Sequence, residues 1–209
     1  MTPETTTAGL AMAQTMLALS LYTVVTSITP GPNNMMVLAS GVNFGFRRTV
    51  PHILGISAGF AVMIVLMGTG LGAVFEVYPW LNSVLRWVGG GYLLYLAWKI
   101  ARSNAPDAPD GAAGKPLGFV GAAAFQWVNP KAWVMALGAV ATYLPAHPSL
   151  SSVATVALLM AAINAPCVGV WAAFGVGLRR FLTEPSRLRV FNVTMAGLLV
   201  LSLYPIFLN

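Results

Sequence analysis

Charge is scarce in this chain. Charged residues make up 8% of its 209 residues and hydrophobic residues 57%, where a soluble domain carries about 25% charged residues. So few charges cannot cover a water-exposed surface, and the whole chain reads as an integral membrane protein. Cysteine is scarcer still: Cys167 is alone, so there is no disulfide framework, and its plainest role is that of a small packing residue. Only five residues are acidic, and none lies in the middle of a hydrophobic run. Glu4, Asp107, Asp110 and Glu184 fall outside the runs and Glu76 at the end of one. Residues 1–8 hold no basic residue and carry Glu4, the reverse of the positive start of a secretory signal, so no signal peptide is expected.

These absences narrow the chemistry. A membrane thiol–disulfide carrier needs paired cysteines. An intramembrane hydrolase needs a nucleophile beside a base, and no histidine or carboxylate sits mid-run. A lipid-headgroup transferase needs clustered acids for metal. No enzyme, cofactor or metal centre is therefore expected. His52, at a run end, and His147, in a loop, read as interfacial groups. The net charge of +6 lies in short segments flanking the apolar runs, which argues against nucleic-acid binding.

What the chain has is apolar length. Six runs cover residues 10–46, 51–75, 80–100, 117–144, 150–178 and 190–208, each near or above the roughly 20 residues that a spanning helix needs. The runs lack the alternation of barrel strands, so each reads as helix. Arg47, Arg48, Lys99, Arg102, Lys115, Arg179, Arg180, Arg187 and Arg189 are nine of the 11 basic residues, and in a six-helix topology all fall on one side. By the positive-inside rule that side is cytoplasmic and both termini are outside. Arg86, near the start of the third run, reads as a snorkelling side chain.

One linker, residues 102–116 (RSNAPDAPDGAAGKP), is too poor in apolar residues to order itself by burial. It divides a single transmembrane domain, 1–209, into a first half of about residues 10–101 and a second of about residues 117–208. GPNNMMVLASG begins at Gly31 and NPKAWVMALGA at Asn129, each in the first helix of its half. Three helices per half is an odd number, so two halves of one fold must be inverted, a recurrent build of secondary transporters. The expected fold is all-α: six transmembrane helices as two inverted three-helix repeats, with the first and fourth interrupted at proline motifs. GISAG at 55–59, GTGLG at 68–72 and GGG at 89–91 mark close helix packing, and such surfaces permit a homodimer without demanding one.

The two interruptions carry the functional signal. Pro130 has no N–H and its ring clashes with the carbonyl of Gln126, while Asn129 followed by proline is a good helix start. Lys131 then lies in a first helical turn near the middle of an apolar run, at a cost of about 2.5–3.5 kcal/mol on insertion scales. Pro30 and Pro32 likewise free the carbonyls of Thr26 and Ile28. Gly31 permits a tight turn, and Pro32 starts a helix whose first N–H groups, at Asn33, Asn34 and Met35, attract anions. A carboxylate would sit near Lys131 and the helix starts. An ammonium group would sit near the carbonyls of Thr26, Ile28 or Gln126, or the side chains of Asn33, Asn34 and Asn129. Together they outline an amino acid, and Pro30, Gly31, Pro32, Asn33, Asn34, Gln126, Asn129, Pro130 and Lys131 form the expected substrate site. Divalent cations prefer carboxylate, thiolate or imidazole ligands, so metal efflux is disfavoured. Another small metabolite or cation, or a passive pore, remains an alternative on such a scaffold.

TPGPNN at 29–34, VNPKA at 128–132, GISAGF at 55–60, GGGYLLYLAWKIARS at 89–103 and INAPCVGVWAAFGVGLRRFL at 163–182 resemble, in order and spacing, the lysine exporter / homoserine–threonine exporter family of bacterial inner-membrane amino-acid exporters. TPGPNN, FGFR, GISAGF and AWKIA look most like its cysteine/O-acetylserine exporter branch. The resemblance implies efflux of a small neutral amino acid driven by an ion gradient, with a proton as coupling ion, through a path lined by the proline motifs. Pro30, Gly31, Pro32 and Asn33 match the first motif, and Asn129, Pro130 and Lys131 the second. With no acid mid-run, a carboxylate proton relay is not evident.

Overall fold

Apolar runs of this length satisfy their backbone hydrogen bonds internally as helix, and helices are what the computed structural model contains. It describes residues 3–103 and 115–204, without the side chains of residues 3–8, Ala73, Glu76 and Asn82. Most of the expected linker, residues 104–114 with Asp107 and Asp110, lies outside the described residues. In chain order the helices are α1 (Pro3–Ile28), α2 (Pro32–Phe44), α3 (Phe46–Leu66), α4 (Gly72–Val77), α5 (Trp80–Ala101), α6 (Phe119–Phe125), α7 (Pro130–Tyr143), α8 (Leu150–Arg179) and α9 (Pro185–Leu201). A π-helical turn, Met67–Leu71, joins α3 to α4, and a 3-10 turn, Gln126–Val128, follows α6. Among the described residues there is no strand. Among the described residues, three segments are long and apolar enough to cross a membrane: Gly9–Ile28, Phe46–Leu71 and Leu150–Arg179.

The element bounds differ from the apolar runs where basic residues open a helix. Arg47 and Arg48 lie in the first turn of α3, because the single residue Gly45 (φ 80°) turns the chain from α2 into α3. Pro51 lies inside α3 instead of starting it. So close to the amino-terminal end, its missing N–H costs only one bond, at the Arg47 carbonyl. Arg187 and Arg189 belong to α9, which begins at Pro185 with proline in its first turn. Beside that start, Arg187 and Glu184 form an exposed ion pair at 3.0 Å.

Helix α8 is the central element, packed on α1, α2 and α3; α3 also packs on α6 and α7, and α5 on α9. Lipid is as apolar as leucine, so helices associate in it through close packing and hydrogen bonds. Both devices are present. A side chain at Gly55 or Gly59 would run into the α6 backbone at Phe119 or Ala123, so the GISAG motif is a close crossing of α3 and α6. The largest apolar cluster joins Leu19 of α1, Phe60, Met63 and Ile64 of α3, Met135 and Ala136 of α7, and Val156 and Met160 of α8. The outside is apolar too: Leu10, Leu17, Leu21 and Val25 of α1 are each more than half exposed. A soluble surface does not carry such a stripe, and lipid covers it at no cost.

Candidate functional site

Both interruptions are breaks in the helix, and their geometry follows from their prolines. α1 ends at Ile28 and α2 starts with Pro32 in its first turn, after an extended Gly31 (φ −178°, ψ 176°). The 3-10 turn ends at Val128 and α7 starts with Pro130 in its first turn, after an extended Asn129 (φ −90°, ψ 108°). The two new helices are 13 and 14 residues long.

Lys131 bridges the breaks. Its Nζ donates to the Thr29 carbonyl, to Thr29 Oγ1 at 2.9 Å and to the Pro30 carbonyl at 3.3 Å. Three acceptors match the three donors of an ammonium group. Gly31 is what lets the side chain pass, since a Cβ there would collide with Lys131 Cδ. The expected tight turn at Gly31 is therefore corrected. Its backbone is extended, a conformation any residue adopts, and glycine is needed for close approach. Glu184 is the one acid whose side chain is described, and its partner is Arg187; among the described residues Lys131 has no carboxylate partner.

The carbonyls freed by Pro30 and Pro32 are not left open. Thr26 O accepts from Thr29 Oγ1 at 3.0 Å, and Ile28 O accepts from the indole Trp171 Nε1 of α8 at 3.0 Å. Buried Asn34 donates its amide to Ser27 O at 2.9 Å and Thr29 O at 2.7 Å. The Gln126 carbonyl accepts the Asn129 N–H at 3.2 Å. A buried amide or carbonyl without a partner costs about 1–3 kcal/mol, and these contacts remove that cost for a broken helix in an apolar medium.

The helix starts differ. Asn129 caps α7: its Oδ1 accepts from the Lys131 N–H at 3.2 Å and its carbonyl from Ala132 and Trp133. Gly31 has no side chain to cap α2, and its carbonyl accepts only as far as Met35 N, at 3.0 Å. The N–H groups of Asn33 and Asn34 are thus the ones that α2 itself does not satisfy. The side chains of Asn33 and Gln126 pair with each other across the breaks, at 2.8 and 3.2 Å.

Between the breaks lies a cavity with about 330 Å³ of space between its atoms, its opening included, lined by Thr26, Ser27, Gly31, Asn33, Asn34, Gln126, Asn129, Lys131 and Asn164 with an apolar floor of Ile56, Phe60, Ala132, Met135 and Val168. The part of it that a water molecule can occupy is about 20 Å³, room for roughly one water, so the cavity is nearly closed in this conformation. It offers amide donors and acceptors, one hydroxyl pair and one cation, which suits a small zwitterion and not a metal. Of the nine expected site residues, the cavity wall brings together Gly31, Asn33, Asn34, Gln126, Asn129 and Lys131. Pro30, Pro32 and Pro130 shape the breaks without lining it, and Pro130 faces another surface cleft with Trp127 and Trp133.

Sequence reasoning missed three contributors. Asn164 of α8 donates to Ser27 Oγ at 3.0 Å and accepts from Ser57 Oγ at 3.0 Å, which ties α1, α3 and α8 together beside the cavity. Trp171 caps Ile28. An asparagine deep in an apolar run, two residues before Pro166, was the available signal for Asn164. A second buried amide pair, Asn43 with Asn192 at 2.8 and 3.1 Å, pins α2 to α9, and Asn192 also donates to the Ser103 carbonyl at 2.9 Å. His52, expected to be interfacial, is buried within the protein: it is only 2% exposed, and among the described residues neither ring nitrogen has a hydrogen-bond partner. Among the described residues no three His, Cys, Asp or Glu side chains cluster as a metal site would.

Comparison with known proteins places this chain in a family. Residues 24–203 match the model of the LysE type translocator family. The chain is similar to the cysteine/O-acetylserine efflux proteins of Escherichia coli (strain K12), Shigella flexneri and Shigella sonnei (strain Ss046). Each is 35% identical over 180 residues, 86% of this chain and 90% of the relative. No solved structure matches. The chain belongs to the LysE translocator family of membrane transport proteins, as its sequence motifs led us to expect.

Proposed function

We propose that this protein is an inner-membrane exporter of small neutral amino acids or close derivatives, of the cysteine/O-acetylserine or threonine/homoserine kind. It works as a secondary active carrier, by alternating access, with a proton as the coupling ion. The observation that carries this reading is a polar cavity shared by two helix breaks, at Gly31 and Asn129, with Lys131 reaching from one to the other. The cavity supplies a cation for a carboxylate, amide side chains for an ammonium, and an apolar floor for a short side chain. The names of the similar efflux proteins favour cysteine and O-acetylserine as the substrates to test first.

Six spans in two inverted repeats fit the packing. Exchanging the first three spans (α1–α2, α3–α4, α5) with the last three (α6–α7, α8, α9) turns the contacts of α1 and α2 with α8 into those of α6 and α7 with α3. The contacts α3 with α8 and α5 with α9 map onto themselves, as they would about a pseudo-two-fold axis in the membrane plane. In this arrangement the basic ends of α5 and α8 face the cytoplasm and both termini lie outside.

Counterflow in reconstituted vesicles tests the proposal. Vesicles loaded with unlabelled cysteine, O-acetylserine, threonine, homoserine, leucine or lysine are diluted into trace label. Saturable accumulation with the small neutral amino acids supports it, and a dependence on an imposed pH gradient supports proton coupling. A passive pore equilibrates label without counterflow.

A further inference from the structure

We infer that the carbonyls of Thr29 and Pro30 form the subsite for the substrate's ammonium group, and that the Lys131 ammonium occupies it as a latch until substrate displaces it. This rests on the amino-acid reading of the cavity.

Lys131 Nζ rests on the Thr29 carbonyl, Thr29 Oγ1 and the Pro30 carbonyl. Those three acceptors complete the hydrogen bonds of one primary ammonium group, and an amino acid carries the same group. Thr29 and Pro30 do not line the cavity itself but are exposed beside it, next to the cavity-lining Gly31, so the subsite is reachable. Asn34 holds Thr29 O from the other side at 2.7 Å, which keeps the carbonyl in place when Lys131 leaves.

Lys131 has a reason to leave. Among the described residues it has no carboxylate partner, and an ammonium satisfied only by neutral oxygens gains from an anion. A zwitterion supplies both halves of an exchange: its ammonium takes over the carbonyls and its carboxylate takes over Lys131. The exchange leaves no carbonyl unpaired and the net charge of the site unchanged by the ligand. An amine without a carboxylate meets the Lys131 ammonium on its own acceptors and is repelled. An acid without an ammonium leaves the carbonyls bare.

The latch also joins the end of α1 to the start of α7. Releasing it on binding frees the two breaks from each other, which couples occupancy to the rearrangement that alternating access needs. Gly31 lies against the device: a Cβ there would stand 2.6 Å from Lys131 Cδ, so a larger residue makes the Lys131 stem shift.

The test uses cysteine, cysteamine (the same molecule without its carboxylate) and 3-mercaptopropionate (without its ammonium). Affinity is read as ligand-induced thermal stabilisation of the purified protein in lipid nanodiscs. In the native protein cysteine binds at least tenfold more tightly than either analogue. In Lys131→Met the latch is gone: cysteamine binds at least tenfold more tightly than to the native protein, and 3-mercaptopropionate more weakly. Lys131→Gln removes the charge with a polar side chain, guards against misfolding of the methionine variant, and shifts cysteamine in the same direction. Cysteamine binding unchanged or weakened in both variants overturns the latch. Cysteine counterflow by native protein, measured in parallel, separates the two ideas. Counterflow without the cysteamine gain overturns the latch and leaves the export reading standing. The gain without counterflow of any amino acid keeps the ammonium subsite and overturns export.

Discussion

Asn33 and Gln126 exchange two hydrogen bonds across the helix breaks: Asn33 Nδ2 donates to Gln126 Oε1 at 2.8 Å, and Gln126 Nε2 donates back to Asn33 Oδ1 at 3.2 Å. Gln126 is fully buried and also donates to the Ala122 carbonyl at 2.9 Å. The pair therefore ties the first turn of α2 to the end of α6. Truncating either residue to alanine leaves the other amide short of a partner, at about 1–3 kcal/mol. Truncating both costs less than the two single losses together. Such couplings in membrane helices average about 0.6 kcal/mol and reach about 1.7. A double-mutant cycle on thermal unfolding in detergent reads the coupling; strict additivity would mean the pair is not formed.

Gly31→Ala is expected to reduce transport at least tenfold while the backbone tolerates it, since the extended conformation at Gly31 suits any residue. The added Cβ would stand 2.6 Å from Lys131 Cδ, so the Lys131 side chain has to shift off its present acceptors. Gly31→Ala and Lys131→Ala should then be non-additive in transport, because both remove one contact. Gly118→Ala is the control: a Cβ there meets nothing within 4 Å, and its φ is −77°. It should match the native protein in both transport and melting temperature.

Asn164→Ala removes the donor to Ser27 Oγ and the acceptor for Ser57 Oγ in one step. The expected loss is about 1–3 kcal/mol of stability, with a raised KM because Asn164 also lines the cavity. Ser57→Ala leaves Asn164 Nδ2 on Ser27 and should cost less, about 1 kcal/mol. Thermal melts and concentration-dependent counterflow on the three proteins check the order. Equal effects of the two variants would show that Asn164 does not join the elements in this way.

The breaks were legible in the sequence because their cause is local. Proline lacks an N–H wherever it stands, so PGP and NP mark the ends of helices without knowledge of neighbours. The glycines of GISAG were legible as packing for a similar reason. What was not legible depends on partners far along the chain. Nothing near Ile28 says that an indole 143 residues later caps its carbonyl, so that carbonyl read as open. Lys131 read as a group waiting for a carboxylate, and its present acceptors, Thr29 and Pro30, lie 102 and 101 residues earlier. Helix starts at Phe46 and Pro185 were placed late because charge, Arg47, Arg48, Arg187 and Arg189, was read as loop. In the structure these residues lie near the starts of α3 and α9 and are part of the helices.

The most direct measurement is efflux of labelled cysteine or O-acetylserine from reconstituted vesicles by native protein and by Lys131→Ala, with melting temperatures confirming that both are folded. The account predicts saturable efflux by the native protein and a loss of at least tenfold in the variant, because the carboxylate loses its only cation in the cavity. Undiminished efflux by a folded Lys131→Ala would contradict it and make that lysine a structural tie alone.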